Sequence, residues 1–367
     1  MRYALRPIER AWRRLLLRIV ARFAPRPSTS GPPSWGARPH RVLYLRPDRI
    51  GDMIMATGLL RAISTSHRTL TLDVLASPAN AVVLAGNPAV HHVEIFHKRR
   101  PWTYPGLLWR LRQARYDAVI DGMVQAPSVT GILLMLASGA PHRIGIDGRG
   151  VERIVTIPVP PEHGARHYID RSSALIAAFG GSARTSDFRP AIYLSAAEVA
   201  VGEATWHAHD ASVGCRILVN ISAGRPSRRW PAEHFVGTLR HVRARWPAMQ
   251  PVVVYAPSDV RDARAIAERS GVPFVETAGV RHVFALVATA DYVLTPDTAI
   301  VHAASAFAKP VTVLYPRGKE AMYAPYATDA WPVVAPEQTL ASLPLSPVLD
   351  AVDAMLAPVT LARSALS

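Results

Sequence analysis

The chain has 367 residues, of which 49% are hydrophobic, and a formal charge of +15 at pH 7. This length and apolar content suffice for two domains with full cores and argue against a wholly disordered protein. Residues 1–40 contain nine Arg and one Glu, so +8 of the charge lies in one short segment and indicates an anionic surface as partner. The single cysteine, Cys215, excludes an internal disulfide and a cysteine-based zinc cluster and is typical of a protein in a reducing cytoplasm.

The first segment predicts a helix that lies on a membrane. Over residues 7–23 (PIERAWRRLLLRIVARF), apolar side chains fall on one side of a helix and arginines on the other. This pattern is typical of an interfacial helix whose arginines lie among anionic headgroups, and the alternative is a helix that packs on the protein body. Arg18 and Arg22 interrupt any signal-peptide core, and no stretch reaches the roughly 18 apolar residues of a membrane span. A linker rich in Pro, Ser and Gly completes residues 1–40.

From residue 41 onward, short apolar runs alternate with helical segments. In the first half, strands are predicted at 42–45, 70–76, 92–96, 117–121 and 142–146, and helices at 54–63, 78–84, 104–114, 130–136 and 167–179. Residues 189–203 are interpreted as a connection. The second half then predicts strands at 216–220, 251–255, 273–275, 292–295 and 311–315, and helices at 231–245, 260–270, 283–288, 299–307 and 347–356.

This alternation predicts an α/β protein with two doubly wound, Rossmann-like domains. We expect an N-terminal domain over residues 41–190, a second domain over 191–345 and a C-terminal helix and tail over 346–367. The carboxyl ends of the two parallel sheets are expected to face a central cleft, where open α/β sheets bind their ligands.

The first candidate site lies in residues 41–63, where a strand, a break and a helical pattern follow one another. Asp52 stands where the strand's carboxyl end meets the first turn of the helix. In one interpretation Asp52 stabilises the helix N-terminus by about 0.5 to 1 kcal/mol. In the other it is a general base aimed at a substrate hydroxyl, and Gly51 allows close approach.

Two patches of the second half are candidate ligand sites. Residues 220–231 hold three arginines among small residues; they fit a phosphate or diphosphate, and the alternative is a solvated basic loop. Residues 291–304 join a strand to a helix whose free N–H groups favour an anion at Thr298 and Ala299. Asp297 is better suited to accept hydrogen bonds from sugar hydroxyls. His302 is either a donor to an oxyanion or a structural histidine.

Together these motifs resemble the bacterial heptosyltransferases of glycosyltransferase family 9, which use ADP-heptose to build the lipopolysaccharide inner core. The resemblance covers residues 41–345. It rests on Asp48-Arg49-Ile50-Gly51-Asp52, on His167 with Asp170 and Arg171, on Ala223-Gly224-Arg225-Pro226 with Arg228, Trp230 and Pro231, and on Asp297-Thr298 with His302.

The resemblance implies a GT-B fold and an inverting transfer without metal. Asp52 matches the family's proposed catalytic base, Arg228 a cation beside the diphosphate, Asp297 a donor-sugar contact and Asp259 an acidic ribose contact. The donor site implied is Ser222, Arg225, Arg228, Asp259, Asp297, Thr298, Ala299 and His302, with Arg49 and Gly51 on the acceptor side. The nucleotide sugar is then a substrate, and no cofactor is expected. The implied acceptor is a lipid-linked glycan at the cytoplasmic face of the bacterial inner membrane.

Three positions depart from the family pattern, and other functions compete. Ala299 stands where the family usually has Gly, Arg228 where it usually has Lys, and Pro296 where Asn is common.

The alternative functions are a transferase for another nucleotide sugar, in capsule, O-antigen or protein glycosylation, and a non-catalytic nucleotide-sugar-binding module. The absence of a Gly-x-Gly-x-x-Gly after any predicted strand disfavours a nicotinamide oxidoreductase. Nucleic acid is disfavoured because the charge is concentrated in an amphipathic segment.

Overall fold

The computed structural model describes residues 31–125, 128–148, 153–209, 215–318 and 320–364. The helix predicted at residues 7–23 lies outside this part of the chain. The chain divides into two compact units, Met1–Phe188 (unit 1) and Arg189–Ser367 (unit 2). This division lies two residues before the expected domain boundary.

Unit 1 contains a six-stranded parallel sheet with helices. Its strands are β1 (His40–Arg46), β2 (Leu70–Ala76), β3 (His92–Ile95), β4 (Ala118–Asp121), β5 (His142–Ile146) and β6 (Ile157–Val159), in the order β3-β2-β1-β4-β5-β6. Its helices are α1 (Ile50–Ser66), α2 (Tyr104–Gln113), α3 (Val129–Ser138) and α4 (Tyr168–Ser173). The central strands β1 and β2 are almost entirely buried, as their near-continuous apolar sequences require in a sheet covered on both faces.

Unit 2 repeats this architecture. Its strands are β7 (Cys215–Asn220), β8 (Met249–Val254), β9 (Phe274–Val275), β10 (Tyr292–Pro296), β11 (Val311–Tyr315) and β12 (Ala330–Val334), in the order β12-β11-β10-β7-β8-β9. Its helices are α5 (Ala196–His207), α6 (Ala232–Arg245), α7 (Val260–Ser270), α8 (Val280–Thr289), α9 (Ala299–Ala306) and α10 (Ser346–Ser364). All paired strands in both sheets are parallel, so the predicted class of two doubly wound α/β domains is confirmed.

Two predicted helices of unit 1 are wrong in type or extent. Residues 78–84 form only a short 3₁₀ helix, Ala81–Leu84. The long helix predicted at 167–179 is α4 followed by a 3₁₀ helix, Ala174–Phe179. In both segments a tight turn replaces the regular helix, and 3₁₀ geometry commonly serves as such a connector.

The connection predicted at residues 189–203 is also wrong, because α5 begins at Ala196. Ser195 accepts a hydrogen bond from the backbone N–H of Glu198, whose carboxylate in turn accepts one from the Ser195 N–H. This reciprocal capping box satisfies two N–H groups that a helix start leaves without partners. The spacing Ser-x-x-Glu in the sequence was the signal for it.

The C-terminal helix α10 belongs to the core of unit 2. Val348, Val352, Met355 and Leu356 are buried in the same apolar cluster as strands of that sheet. Among the described helices, none is both long and apolar enough to cross a bilayer.

Candidate active site

The first cluster lies at the carboxyl edge of the unit 1 sheet, between β1 and β4. These strands are neighbours, but the chain runs from β1 to β2 on the opposite side, so the strand order reverses here. Open α/β sheets bind ligands at such a switch point. Arg46, the last residue of β1, meets Gly122, the residue after β4, at this edge.

The buried Arg46 side chain organises this cluster. Its guanidinium donates hydrogen bonds to the Gly122 carbonyl and the Tyr168 hydroxyl, and it lies 4.7 Å from the centre of the Tyr168 ring. The Asn80 amide donates to the Arg46 carbonyl at 2.8 Å. These hydrogen bonds offset the free-energy cost of burying the charged Arg46 side chain. Arg46 was not among the predicted site residues; a charged residue at the end of an apolar strand was the available signal.

Two carboxylates share the Arg46 guanidinium. Asp52 Oδ1 lies 3.1 Å from Nη2, and Asp48 Oδ1 lies 3.1 Å from Nε. Asp52 is the third residue of α1, where the free N–H groups of the helix favour negative charge. Its side chain keeps 17% of its surface exposed, so solvent reaches the carboxylate. The predicted base therefore lies at the switch point, held by a fixed cation.

The second carboxyl group of the pair, Asp48, has a pKa above its ordinary value. Burial raises the pKa of Asp48 to about 6; the Arg46 charge opposes this rise, and the Asp52 charge adds to it. Burial also raises the pKa of Tyr168 far above its ordinary value, so its hydroxyl stays protonated and donates to the Gly122 carbonyl at 2.8 Å. The cluster thus combines one permanent cation with a carboxyl group whose pKa is raised by burial.

The two predicted acceptor-side residues lie at the start of α1. Arg49 is the N-cap residue and is exposed, and its side chain makes no capping hydrogen bond. Gly51 is the second residue of the helix and is partly exposed. Both are adjacent in sequence to the carboxylates that Arg46 holds.

The second cluster lies at the carboxyl edge of the unit 2 sheet, between β7 and β10. These strands are adjacent, although β7 is followed in sequence by β8 on its other side. Asn220, the last residue of β7, is buried and donates from its amide to Thr295 Oγ1 at 2.9 Å and Thr298 Oγ1 at 3.3 Å. Asn220 therefore fixes the loop that begins α9 against the neighbouring strand, a role that was not predicted.

Arg228 and Asp297 form an ion pair across this switch point. Arg228 Nη1 donates to the Asp297 carbonyl at 2.9 Å, and Nη2 lies 3.1 Å from Asp297 Oδ2. The Asp297 side chain is buried, and that of Arg228 is mostly buried. A guanidinium carries five N–H donors, more than these two contacts can use, so Arg228 can also contact a ligand. The structure thus brings together two of the predicted donor residues.

The next residue of the same loop contacts the opposite neighbour of β7. Arg229 Nη2 donates to Oδ1 of the buried Asp259 at 2.8 Å. Burial tends to raise the pKa of this carboxyl group, but hydrogen bonds from Ser222 and Ser258 and the charge of Arg229 lower it by more. Ser222 Oγ also accepts a hydrogen bond from the backbone N–H of Ala256 at 2.7 Å. Two consecutive arginines therefore hold the loop after β7 to both flanking strands.

The remaining predicted donor residues lie around the start of α9 and in the basic loop. Thr298 caps the helix by accepting from the N–H of Ile300 at 3.3 Å, and Ala299, the first helical residue, is partly exposed. His302 is buried, with its ring 6.4 Å from that of Tyr323. Arg225 is exposed to solvent. Within the described ranges, no group of three or more His, Cys, Asp or Glu side chains is arranged to hold a metal ion.

Comparisons with known proteins point to one family. Residues 106–345 match the model of glycosyltransferase family 9 (heptosyltransferase). The lipopolysaccharide heptosyltransferase 2 of Escherichia coli strain K12 is 22% identical over 299 residues, which cover 75% of this chain and 82% of that relative. The corresponding protein of Salmonella typhimurium is also 22% identical, over 298 residues, 75% of this chain and 82% of that relative.

Solved structures confirm a GT-B architecture. The family 9 glycosyl transferase from Veillonella parvula matches with a TM-score of 0.77 at 18% identity, covering 90% of this chain and 100% of that chain. The E. coli ADP-heptose lipopolysaccharide heptosyltransferase II matches with a TM-score of 0.70 at 21% identity, covering 87% and 99%. The E. coli heptosyltransferase WaaC with ADP gives 0.71 at 17% identity, covering 86% and 99%.

Proposed function

Because the chain belongs to glycosyltransferase family 9, we propose that it transfers a heptose or a related sugar from ADP-heptose, or another nucleotide sugar, to a lipopolysaccharide core or a similar lipid-linked glycan. The names of the E. coli relatives support this donor and this acceptor class. The observation that carries the proposal is the Arg228–Asp297 pair at the switch point of unit 2, beside the start of α9. A cation with spare N–H donors at that position suits the diphosphate of a nucleotide sugar.

The proposed reaction is a direct displacement with inversion. A carboxylate takes the proton of an acceptor hydroxyl, whose oxygen forms a bond to the anomeric carbon of the donor sugar. The bond from that carbon to the diphosphate breaks, and its electron pair leaves with the diphosphate. Groups that hold the leaving charge in place stabilise the transition state.

Unit 2 supplies the groups proposed to hold the donor. Arg228 and the exposed Arg225 contact the diphosphate together with the free N–H groups at Thr298 and Ala299. The methyl group of Ala299 leaves the diphosphate less space at the start of α9 than the Gly of the family pattern would leave. The carboxylate of Asp297 accepts hydrogen bonds from hydroxyls of the donor sugar.

Three further side chains complete the proposed donor site. Asp259, whose pKa lies below its ordinary value, stays ionised and accepts from a ribose hydroxyl. Ser222 supports that carboxylate, and buried His302 donates to an oxygen of the donor. No metal and no cofactor take part in this proposal, because arginines and a helix N-terminus serve the leaving group.

Asp52 is the proposed catalytic base, with Arg49 and Gly51 beside the acceptor. The Arg46 ion pair fixes the direction of the Asp52 carboxylate, and a fixed base needs no reorganisation when the hydroxyl arrives. Arg46 is therefore a positioning residue in this account. Its other carboxylate partner, Asp48, is close enough to influence the charge of the cluster.

The proposed acceptor also accounts for the basic N-terminal segment. A lipid-linked acceptor lies at a membrane, and residues 7–23 would hold the enzyme at its anionic cytoplasmic surface. Reversing Arg13 and Arg14 to Glu in the full chain should then weaken its sedimentation with anionic vesicles. Unchanged sedimentation would remove this segment from the proposal.

Donor profiling tests the function most broadly. ADP-heptose should raise the melting temperature of the protein more than UDP- or GDP-sugars do, and labelled heptose should appear on a lipopolysaccharide core acceptor. A preference for another nucleotide sugar would support the alternative transferase. Binding without any transfer or donor hydrolysis would indicate a non-catalytic module.

Arg228→Ala should abolish the shift in melting temperature that ADP-heptose causes. Arg269→Ala removes an exposed arginine outside the proposed donor site; it serves as the control and should keep the shift.

A further inference from the structure

The outer face of α2 and the turn before it carry exposed tryptophans. Trp102 is 73% exposed and Trp109 is 64% exposed. Among the large hydrophobic side chains that the structure describes, no other is as exposed as these two. Leu108, next to Trp109, is exposed as well. Isolated exposed apolar residues are ordinary, whereas several large exposed apolar side chains on one short segment make it a candidate interaction site.

Both tryptophans lie outside the core of unit 1. Trp109 lies on α2, and Trp102 lies in the short 3₁₀ turn Pro101–Thr103 that directly precedes it. Leu107 and Leu111 point the opposite way and are buried in the core of unit 1. The tryptophans therefore have no core to enter, and their indoles stay in solvent.

The same segment is strongly basic. Residues 95–116 contain six Lys and Arg and no Asp or Glu. Arg110 pairs with Glu94 at 3.0 Å. The side chains of Lys98, Arg99 and Arg100 are exposed and make no ion pair with any residue in the described ranges. Three exposed cations without an ion-pair partner among the described residues thus stand immediately before Trp102.

The turn that presents these cations is ordered by its own contacts. The Tyr104 hydroxyl donates to the Lys98 carbonyl at 2.7 Å, and Thr103 Oγ1 donates to the Arg100 carbonyl at 2.7 Å. The Tyr104 ring stacks on Phe96, with the ring centres 5.2 Å apart. A preformed turn loses little entropy when it binds, so this surface is ready for a partner.

An apolar side chain of the next helix extends the surface. α3 packs beside α2, and the Arg112 guanidinium lies against Gly139, which ends α3. Leu133 on α3 is 49% exposed. The helix packed beside α2 thus also carries an exposed apolar side chain. We call Lys98, Arg99, Arg100, Trp102, Leu108, Trp109 and Leu133 the α2 surface.

The chemistry of the α2 surface fits a lipid headgroup region better than a protein. Lys is depleted at protein interfaces, whereas a run of three exposed cations that includes Lys98 precedes Trp102 here. Trp prefers the membrane–water boundary, where its ring is apolar and its N–H remains hydrated. Each nearby Lys or Arg adds attraction to anionic lipids. We propose that the α2 surface docks on an anionic lipid bilayer. The choice of a lipid surface over single-stranded nucleic acid rests on the lipid-linked acceptor of the proposed function.

Two sets of full-chain variants test the docking in vesicles that contain no acceptor. Arg99→Glu with Arg100→Glu should weaken partition into vesicles containing phosphatidylglycerol by about tenfold or more. Arg68→Glu with Arg264→Glu, both at exposed positions elsewhere, makes the same change of net charge and serves as the matched control. Equal partition of the two double variants would overturn the proposal.

Fluorescence quenching reports on the surface even if the N-terminal segment also binds lipid. Vesicles with brominated acyl chains should quench the wild-type tryptophan emission. Trp12 of the N-terminal segment would be quenched too, so the comparison is made in a Trp12→Phe background. In that background, Trp102→Phe with Trp109→Phe keeps the apolar rings but should lose most of the quenching. Quenching that is undiminished in this variant would contradict docking through α2. Variants that lose binding to single-stranded RNA while keeping vesicle binding would also overturn it.

These measurements separate the docking from the function proposed above. Donor hydrolysis and the ADP-heptose shift in melting temperature should be unchanged in the α2 variants, because the proposed donor groups lie in unit 2. Docking that fails while transfer persists leaves the transferase proposal intact. Docking that succeeds in a protein without transfer leaves the surface intact and removes the activity.

Discussion

At the scale of single residues, Asp48 predicts a specific dependence of stability on pH. Its pKa is raised from an ordinary 3.8 to about 6, so the folded state favours the protonated form. The stability that Asp48 contributes is therefore lost as the pH rises from about 3.8 through about 6, by at most about 3 kcal/mol. Asp48→Asn cannot ionise, so its melting temperature relative to wild type should rise over this window.

Comparison of the two proteins over a series of pH values isolates this group, because their other carboxyl groups are the same. Above about pH 7 the difference should become constant, since Asp48 is ionised in both the folded and the unfolded wild-type chain. A difference that stays constant from pH 4 to pH 7 would show that the pKa of Asp48 is not raised.

Replacing Arg46 by lysine is predicted to lower turnover, because a positive charge alone cannot make the contacts of the guanidinium. Its planar group serves two carboxylates, the Gly122 carbonyl and the Tyr168 hydroxyl together, whereas a lysine ammonium cannot reach all four. Arg46→Lys should lower kcat at least tenfold and leave the KM for the donor nearly unchanged, because the proposed donor groups lie in unit 2. Steady-state kinetics measure both parameters. A rise in KM with an unchanged kcat would contradict a positioning role.

At the scale of elements, α1 approaches the backbone of Phe188, the last residue of unit 1, so closely that replacing Gly58 by alanine is predicted to lower the stability of the protein. A methyl group on Gly58 would overlap the backbone carbonyl of Phe188. Gly58→Ala should therefore destabilise the protein by about 1 to 3 kcal/mol, although alanine favours a helix. Gly106→Ala in α2 is the matched control, since the nearest atom is the flexible Arg110 Nη1 at 3.7 Å. It should be neutral or stabilise by up to about 1 kcal/mol. Thermal or urea denaturation distinguishes the two, and equal effects would refute the packing argument.

Most elements followed from periodicity, and the exceptions have physical reasons. The strands β6 and β12 were not predicted, and each contains a proline, Pro158 or Pro332. Both strands lie at a sheet edge, where the missing N–H of proline costs no ladder hydrogen bond. The helix α5 was missed because it buries only Gly202 and Trp206, too few residues to make a clear helical period.

The positions of the candidate site residues were predictable, but their pairings were not. Asp52 and Asp297 each follow a strand predicted from apolar runs, and parallel strands place such loops at one edge of a sheet. The contact between Arg46 and Tyr168 joins residues 122 positions apart, so only the folded chain reveals it. The same holds for Arg229, which appeared in the basic loop but was not assigned to Asp259.

At the scale of the whole molecule, the proposed donor site predicts transfer without a divalent metal. Arginines and the N-terminus of α9 are proposed to hold the departing diphosphate, which is the task that a metal performs in other transferases. Dialysis against EDTA should leave the transfer rate unchanged within about twofold, and adding Mg²⁺ or Mn²⁺ should not raise it further. A rate that falls with EDTA and returns with one of these ions would contradict the metal-independent part of the proposal.

The two units are proposed to divide the chemistry, with donor groups in unit 2 and the base in unit 1. Asp52→Asn keeps the size of the side chain and removes its ability to accept a proton. Single-turnover transfer of labelled heptose, measured beside the donor dissociation constant, should show a rate reduced at least about a hundredfold with donor affinity unchanged within about threefold. Transfer near the wild-type rate, or a matching loss of donor affinity, would contradict the assignment of Asp52 as the base.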